Sequence, residues 1–370
     1  MKTNKINLEN LLFYISYFLF MLYAFFGTIA IFREPLKQLT NVSMAIILFV
    51  LIFQLRKYKM KELIKMLLLL LVSFIFVVAS KNYLFLKLSL IVLISKNISF
   101  DKKISFDVKL RVIFLLVMVA FNNLGIAEDT IAYYNDRIRH SIGFSNPNVL
   151  GLHTFILCLE LLYLNKNKLS ILKIILYTSI MLFSHHFSGS RTALYLYFVS
   201  LVLFYIYKLK PQFFSKGVVK KLISYSPIIT TIIIAVSYLL YSNNYSIGLI
   251  IDKITSGRLL NINYFVHNYK LSLFGSDISI ANKSCDTAVV YMLYAFGYLG
   301  CFIYIYGFQR LLKVLYKKNL IGIVIIIFIF MLYGISEKLW LFPDCNLLIT
   351  SVGFLIYEYK GELDNGKQFD

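Results

Sequence analysis

The chain has 370 residues, of which 59% are hydrophobic, 17% aromatic and only 15% charged, with a mean hydropathy of +0.74. That much apolar surface excludes a water-soluble globular chain, and the formal net charge of +20 then reads as membrane topology and not as nucleic-acid binding. The four cysteines, Cys158, Cys285, Cys301 and Cys345, show no CxxC spacing and no Cys/His cluster, which argues against a zinc site and for free thiols.

In chain order, apolar stretches close to the length that crosses a hydrocarbon core of about 30 Å predict helices over 11–32, 40–54, 63–79, 83–95, 110–126, 147–164, 171–187, 191–207, 222–241, 286–308, 319–335 and 343–358. The expected fold class is all-α: one polytopic membrane domain over residues 1–370 with about twelve transmembrane helices. The longest external segments, 127–146 and 242–285, lie between spans, and the second is expected to carry amphipathic helices. The first span follows a short basic segment but has no small-residue cleavage site, so it is read as a span and not as a signal peptide.

With the N-terminus placed inside, 26 of the 38 basic residues fall in internal segments, among them Lys103 and Arg111, which predicts two cytoplasmic termini. Topology accounts for the lysines, only six of 30 being external, but not for the arginines. Five of eight are outside: Arg33, Arg137, Arg139, Arg191 and Arg258. Arginine offers a planar fork that grips phosphate oxygens in pairs, so this bias points to an anionic ligand on the outer face. The internal loops are short and hold no GxGxxG, P-loop or DxD pair, which disfavours a nucleotide-sugar substrate.

Polar residues gather where out-to-in helices begin, at the positive ends of their dipoles. In GFSNPN (Gly143 to Asn148), Asn146 is a good N-cap and Pro147 a good first helical residue, while Asn148 needs a further reason. In SGSR, Ser188 or Ser190 would cap the helix that starts at Arg191. Behind Ser256, a second helix opens with Arg258 in its first turn, and Leu259, Ile262, Val266, Tyr269 and Leu273 recur at helical spacing along an apolar face. Cations in a first turn oppose the dipole, but beside free backbone N–H groups they form a phosphate trap; the competing reading is arginine snorkelling to the interface. His185 and His186 point about 100° apart on a helix, so both cannot face one site. His153 reads as a packing or polar-cavity residue. Asp286, opening an out-to-in span, is either a general base or a helix cap, with Glu337 and Asp344 as further external carboxylates. Lys87, in a short span, and Glu160, near the cytoplasmic end of its own, have no assigned mechanism. Apart from Lys87, no ionisable residue is expected at mid-membrane and no repeat relates the halves, which disfavours a transporter.

These motifs resemble those of the Wzy-type polysaccharide polymerases and, more distantly, the O-antigen ligases. GFSNPN is similar to the family's GFxNPN, SGSR to its SR seam, and SGR (Ser256 to Arg258) followed by LFGS (Leu273 to Ser276) to its third motif. The fourth is Asp286 and Thr287, nine residues, Gly297, two residues and Gly300; ligases carry a histidine there and polymerases often an Asp-Asn pair. The resemblance implies a GT-C-like fold and metal-independent, cofactor-free glycosyl transfer at the outer face of a bacterial cytoplasmic membrane. It implies undecaprenyl-diphosphate-linked oligosaccharides as donor and acceptor, membrane lipids and a chain-length regulator protein as partners, and no nucleic acid. Arg191, Arg258 and Asp286 take the catalytic positions; Arg137, Arg139, Asn146, Asn148, Ser190, His185 and His186 take substrate-binding ones. The alternatives are an O-antigen ligase and a lipid-linked oligosaccharide flippase or other transporter.

Overall fold

In hydrocarbon a backbone must satisfy its own hydrogen bonds, so apolar stretches of this length become helices. The computed structural model describes residues 8–96, 98–134 and 137–357, without the side chains of 8, 9, 54, 134 and 137. In order, the helices are α1 (Leu8–Phe26), α2 (Ala30–Gln54), α3 (Met60–Ser80), α4 (Leu84–Ile94), α5 (Phe100–Asn123), α6 (Pro147–Leu164), α7 (Ile171–Ser188) and α8 (Arg191–Leu209). There follow α9 (Gly217–Ser224), α10 (Ser226–Ser242), α11 (Ser246–Ile254), α12 (Arg258–Asn268), α13 (Ala288–Lys317), α14 (Ile321–Tyr333) and α15 (Gly353–Ile356). The departure from an all-helical chain is a hairpin of β1 (Ile131–Tyr134) and β2 (Arg137–His140), with Ala132 opposite Arg139.

Six of these helices, α2, α3, α6, α7, α8 and α13, are long and apolar enough to cross a membrane. A seventh arises if α9 and α10, which meet at 61°, count as one broken span; Pro227 near the start of α10 lacks the N–H that would continue the ladder. Helices α4 and α14 are apolar but shorter, as is the part of α1 with described side chains, Asn10–Phe26. The first expected span ends early, at Phe26, and α2 restarts at Ala30. Helix α3 shows how such a chain is solvated: Leu67, Leu68, Leu71, Phe74 and Val78 are exposed while Met66, Ser73, Phe76 and Ser80 are buried. An exposed apolar stripe of that length suits lipid and not water. Of these six, the α6 span is 78% and the α13 span 61% buried, against 22–28% for the other four, so these two lie deepest in the protein, together with the almost wholly buried α14.

The expected span over 343–358 is not a membrane-length helix. After a single 3-10 turn (Leu339–Leu341) the chain runs through turns to α15, with Trp340, Leu347, Leu348 and Ile349 buried. Pro343 and Asp344 favour a turn over a helix, and irregular backbone is tolerated at depth because protein covers it.

Helix α5 carries charges that do not face solvent. Lys103, Asp107 and Arg111 recur every four residues on one face and are completely buried. Asp107 accepts from Tyr17 of α1 (2.5 Å), Lys103 (3.1 Å) and Arg111 Nε (3.1 Å). Arg111 continues to His153 Nδ1 at 2.7 Å and the Asp344 carbonyl at 2.8 Å, and its Nε lies 3.7 Å from Glu160. Arg111 is half-way along a 24-residue helix, about 16 Å from its start at 1.5 Å per residue. These charges are therefore buried inside the protein, where they cross-link α1, α5, α6 and the 339–352 segment.

Topology is open to direct test, since Ser246 (first residue of α11) and Ser215 are both exposed. In a cysteine-free background, cysteine at position 246 should react with an impermeant thiol reagent on intact cells and cysteine at position 215 should not. The reverse labelling would invert the molecule.

Candidate functional site

The first motif builds one wall. Asn146 caps α6, its Oδ1 accepting from the backbone N–H groups of Asn148 (2.8 Å) and Val149 (3.3 Å), and Pro147 follows in the first turn. Its side chain is thereby used structurally. Asn148, two residues on, turns inward: its Oδ1 accepts from Arg139 Nη2 at 2.6 Å and its Nδ2 donates to Glu337 Oε1 at 3.2 Å. Arg139 reaches this point from β2 by crossing the C-terminus of α7, where its Nε donates to the Ser188 carbonyl at 2.6 Å. The crossing requires a glycine, because a Cβ on Gly189 would lie 2.9 Å from Arg139 Nε and the residue has φ +58°.

At the centre stands Arg258, the first residue of α12, with only 14% of its side chain exposed. Its Nη1 pairs with Asp286 and its Nη2 with Glu337. Asp286 also accepts from the Ser284 hydroxyl and, at 3.4 Å, from Asn261 Nδ2. Helix α13 has Thr287 as its N-cap residue, so Asp286 is engaged by Arg258 and is not the cap. Arg258 Nε is buried with no hydrogen-bond partner among the described residues, leaving a donor for a further acceptor. Burial opposes the arginine charge, but Glu337 and Asp286 outweigh it and raise the pKa further. For Glu337 the balance is opposite: burial pushes its carboxyl up to about 7 even though Arg258 pulls it down.

The backbone at the start of α12 departs from expectation. The N–H groups of Leu259 and Leu260 are not open to a phosphate; they donate to Asp252 Oδ1 at 2.8 and 3.0 Å. Asp252, from α11, supplies the negative charge that the helix end favours. The trap at Arg258 is therefore its guanidinium and not the helix terminus. The apolar face of α12 is also shifted: Leu259, Ile262 and Phe265 are buried, whereas Val266 and Leu273 are exposed.

Arg191 opens α8 and donates from Nη2 to Ser256 Oγ at 2.7 Å, two residues before Arg258, so the second and third motifs meet. The guanidiniums of Arg139, Arg191 and Arg258 thus gather beside the carboxylates of Asp286 and Glu337. Ser190 is buried at the head of α8, and its carbonyl lies 3.3 Å from His185 Nδ1, which orients that ring locally. His186 is exposed and rests edge-on to Phe187, outside the cluster. Arg137 lies on β2 opposite Tyr134; its side chain is outside the described residues. Arg33 is exposed, donates to the Gly27 carbonyl at 3.3 Å, and takes no part.

The third and fourth motifs join backbone to backbone. Helix α13 breaks at Gly297 (φ 69°, ψ −167°), and the Leu273–Ser276 segment lies in the break. Ser276 N donates to the Tyr294 carbonyl at 3.0 Å, Tyr298 N to Ser272 at 3.1 Å and Leu299 N to Leu273 at 3.1 Å. A Cβ on Gly297 would lie 2.4 Å from the Gly275 nitrogen, and one on Gly275 2.2 Å from the Ala295 carbonyl oxygen. Two glycines facing each other admit this approach, which ties the loop after α12 to the helix that follows Asp286.

One group has a metal-ligand composition: the ligand atoms of His153, Asp344 and Cys345 lie within 4.8 Å of one another. The Arg111 guanidinium bonds two of these residues, however, and a fixed cation there repels a divalent ion. Of the carboxylates, Glu337 was legible only as an external acid; no motif carries it, and its place follows from the turn after α14. Neither a family model, nor a curated protein, nor a solved structure matches this chain.

The raised pKa of Glu337 has a stability consequence. Between the usual carboxyl value of 4.5 and about 7, the folded protein holds a proton on Glu337 that the unfolded chain has lost, so stability falls as pH rises through that window. Thermal unfolding in detergent from pH 4.5 to 7.5 should show this fall, and Glu337→Gln should flatten it. An unchanged slope in the variant would place the titration elsewhere.

Proposed function

We infer that the chain is a polysaccharide polymerase, a glycosyltransferase joining undecaprenyl-diphosphate-linked oligosaccharides at the outer face of a bacterial cytoplasmic membrane. The observation that carries this reading is the convergence of Arg139, Asn148, Arg258, Asp286 and Glu337, drawn from separate elements, on one bonded cluster. Arg191 joins it through Ser256. The resemblance in sequence supplies the substrate class. The twelve-span, GT-C-like arrangement that belongs with it would count α1, α4, α5, α14 and the buried 339–356 segment among its spans, beside the six long apolar helices and the broken α9–α10 pair.

Glycosyl transfer from a diphosphate asks two things of a protein: cations for the leaving group and a base for the acceptor proton. An acceptor hydroxyl oxygen attacks the anomeric carbon of the donor. The carbon–oxygen bond to the diphosphate breaks, the electron pair leaves with the diphosphate, and the hydroxyl proton passes to Asp286. Arg258, with its free Nε–H, turns toward the leaving group, and in doing so frees the carboxylate that takes the proton. A flippase is the second reading, favoured by the buried Lys103–Asp107–Arg111 cluster at depth, since ionisable groups there often mark transport paths.

Polymer length in cells separates these readings. Arg258→Lys and Arg191→Lys keep the charge but lose the fork, and each should leave mostly unpolymerised units. Asp286→Asn should lower polymerisation by about 10²-fold or more, while Arg33→Lys should match the parent. Parental chain lengths from Arg258→Lys and Asp286→Asn at equal membrane abundance would overturn the proposal. A reduced amount of polymer with unchanged lengths would favour the flippase.

A further inference from the structure

Next to the arginine cluster lies a cavity of about 690 Å³, within the range of roughly 300–1,000 Å³ usual for small-molecule sites. Its lining includes Lys81, Lys87, Lys283 and Lys338, against two acidic residues, Asp277 and Asp344. Among the described residues, only Lys81 of the four pairs with a carboxylate within 4.0 Å, Asp277 at 3.9 Å, and the Lys81 side chain of that pair is largely exposed. Lys338 lies 4.7 Å over the ring of Tyr291, whose hydroxyl accepts from Asn82 at 2.7 Å. Lys87, half-buried on α4, has Asp344 as a neighbouring carboxyl in the cavity but no carboxylate within 4.0 Å among the described residues, so its ammonium can meet a further anion there.

The cavity shares a wall with the arginine cluster. Ser284 lines it and donates to Asp286; Lys338 lines it and follows Glu337, the partner of Arg258. Aromatic rings, including Tyr83, Tyr291 and Phe265, stand among the lysines together with the amide of Asn82. Aromatic faces and amides suit a sugar ring, and dispersed ammonium groups suit a single carboxylate or phosphate on that ring. The paired oxygens of a diphosphate fit the arginine forks next door better.

We propose that this cavity binds an acidic sugar unit of the saccharide the protein acts on, with the anionic substituent against Lys87 and Lys338. It rests on the reading of the chain as a saccharide-joining protein and adds that the unit is charged. A ligand so seated would extend past Ser284 to Asp286, which would make the cavity a determinant of which repeat unit is accepted.

The test reads the lysines directly and needs no polymerisation. Full-length protein in phosphatidylcholine nanodiscs is treated with sulfo-N-hydroxysuccinimide acetate, and acetylation of each lysine is followed by peptide mass spectrometry. Sodium glucuronate at twice its Kd should slow Lys87 and Lys338 about threefold, as the unliganded fraction falls with 1 + [L]/Kd. It should leave the exposed Lys253 unchanged. Glucose, and sodium chloride at matched ionic strength, should protect neither, and Arg258→Lys should retain the protection. Equal slowing by sodium chloride, or none by glucuronate, would overturn the proposal. So would stronger protection by sodium pyrophosphate that disappears in Arg258→Lys, because the cavity would then belong to the diphosphate site. A polymerisation assay that fails leaves this result untouched, and the converse also holds.

Discussion

A guanidinium held between two carboxylates in an apolar setting is a constraint that three parts of the chain must satisfy together. Arg258 comes from the head of α12, Asp286 from the approach to α13, and Glu337 from the turn after α14. Away from water, a charge without its counterpart is costly, and removing one partner of a buried pair typically costs about 3–5 kcal/mol. The backbone pairing of Gly275 against Gly297 then fixes where α12 can sit relative to α13. Asn148 carries the same order to α6 and Arg139, so the start of α6 is joined by polar bonds to the approach to α13. A diphosphate offers Arg258 what the carboxylates offer it now, which is why the same contact that holds the resting site together is also the one a substrate would exchange.

Arg111 does for the interior what Arg258 does for the candidate site. It satisfies its donors with Asp107, His153 and the Asp344 carbonyl and so clamps an irregular segment to the helical core. That clamp explains how a stretch with little regular structure persists in the buried interior. The Asp344 side of this segment also borders the lysine-lined cavity, so the buried charge network stands behind its floor.

The membrane character, the helical fold and the order of the motifs were legible in the chain because each leaves a local pattern: apolar run length, a Ser or Asn before a helix, an arginine in a first turn. What lay beyond reach depended on tertiary contact. Glu337 sits in no motif and acquires its importance only by facing Arg258. Lys103 and Arg111 enter a count of basic residues as exposed loop charges, since counting cannot see that Asp107 and Tyr17 pair with them in the interior. The 343–358 stretch is apolar enough for a span, yet Pro343 and the covering helices let it remain irregular. Between His185 and His186 the helical geometry required a choice, and the fold made it: one ring is turned to the head of α8 and the other outward. The N–H groups of α12, which the dipole argument offered to a phosphate, were already taken by Asp252 from a neighbouring helix.

The central claim is that the arginine and carboxylate cluster forms glycosidic bonds from a lipid diphosphate. Purified protein in liposomes, supplied only with an undecaprenyl-diphosphate-linked repeat unit from its own cells, tests it most directly. The account predicts a ladder of lipid-linked products, each longer by one repeat unit, with one undecaprenyl diphosphate released for each bond formed and no nucleotide needed. Passage of the unit from one leaflet to the other with no ladder and no released diphosphate would contradict it.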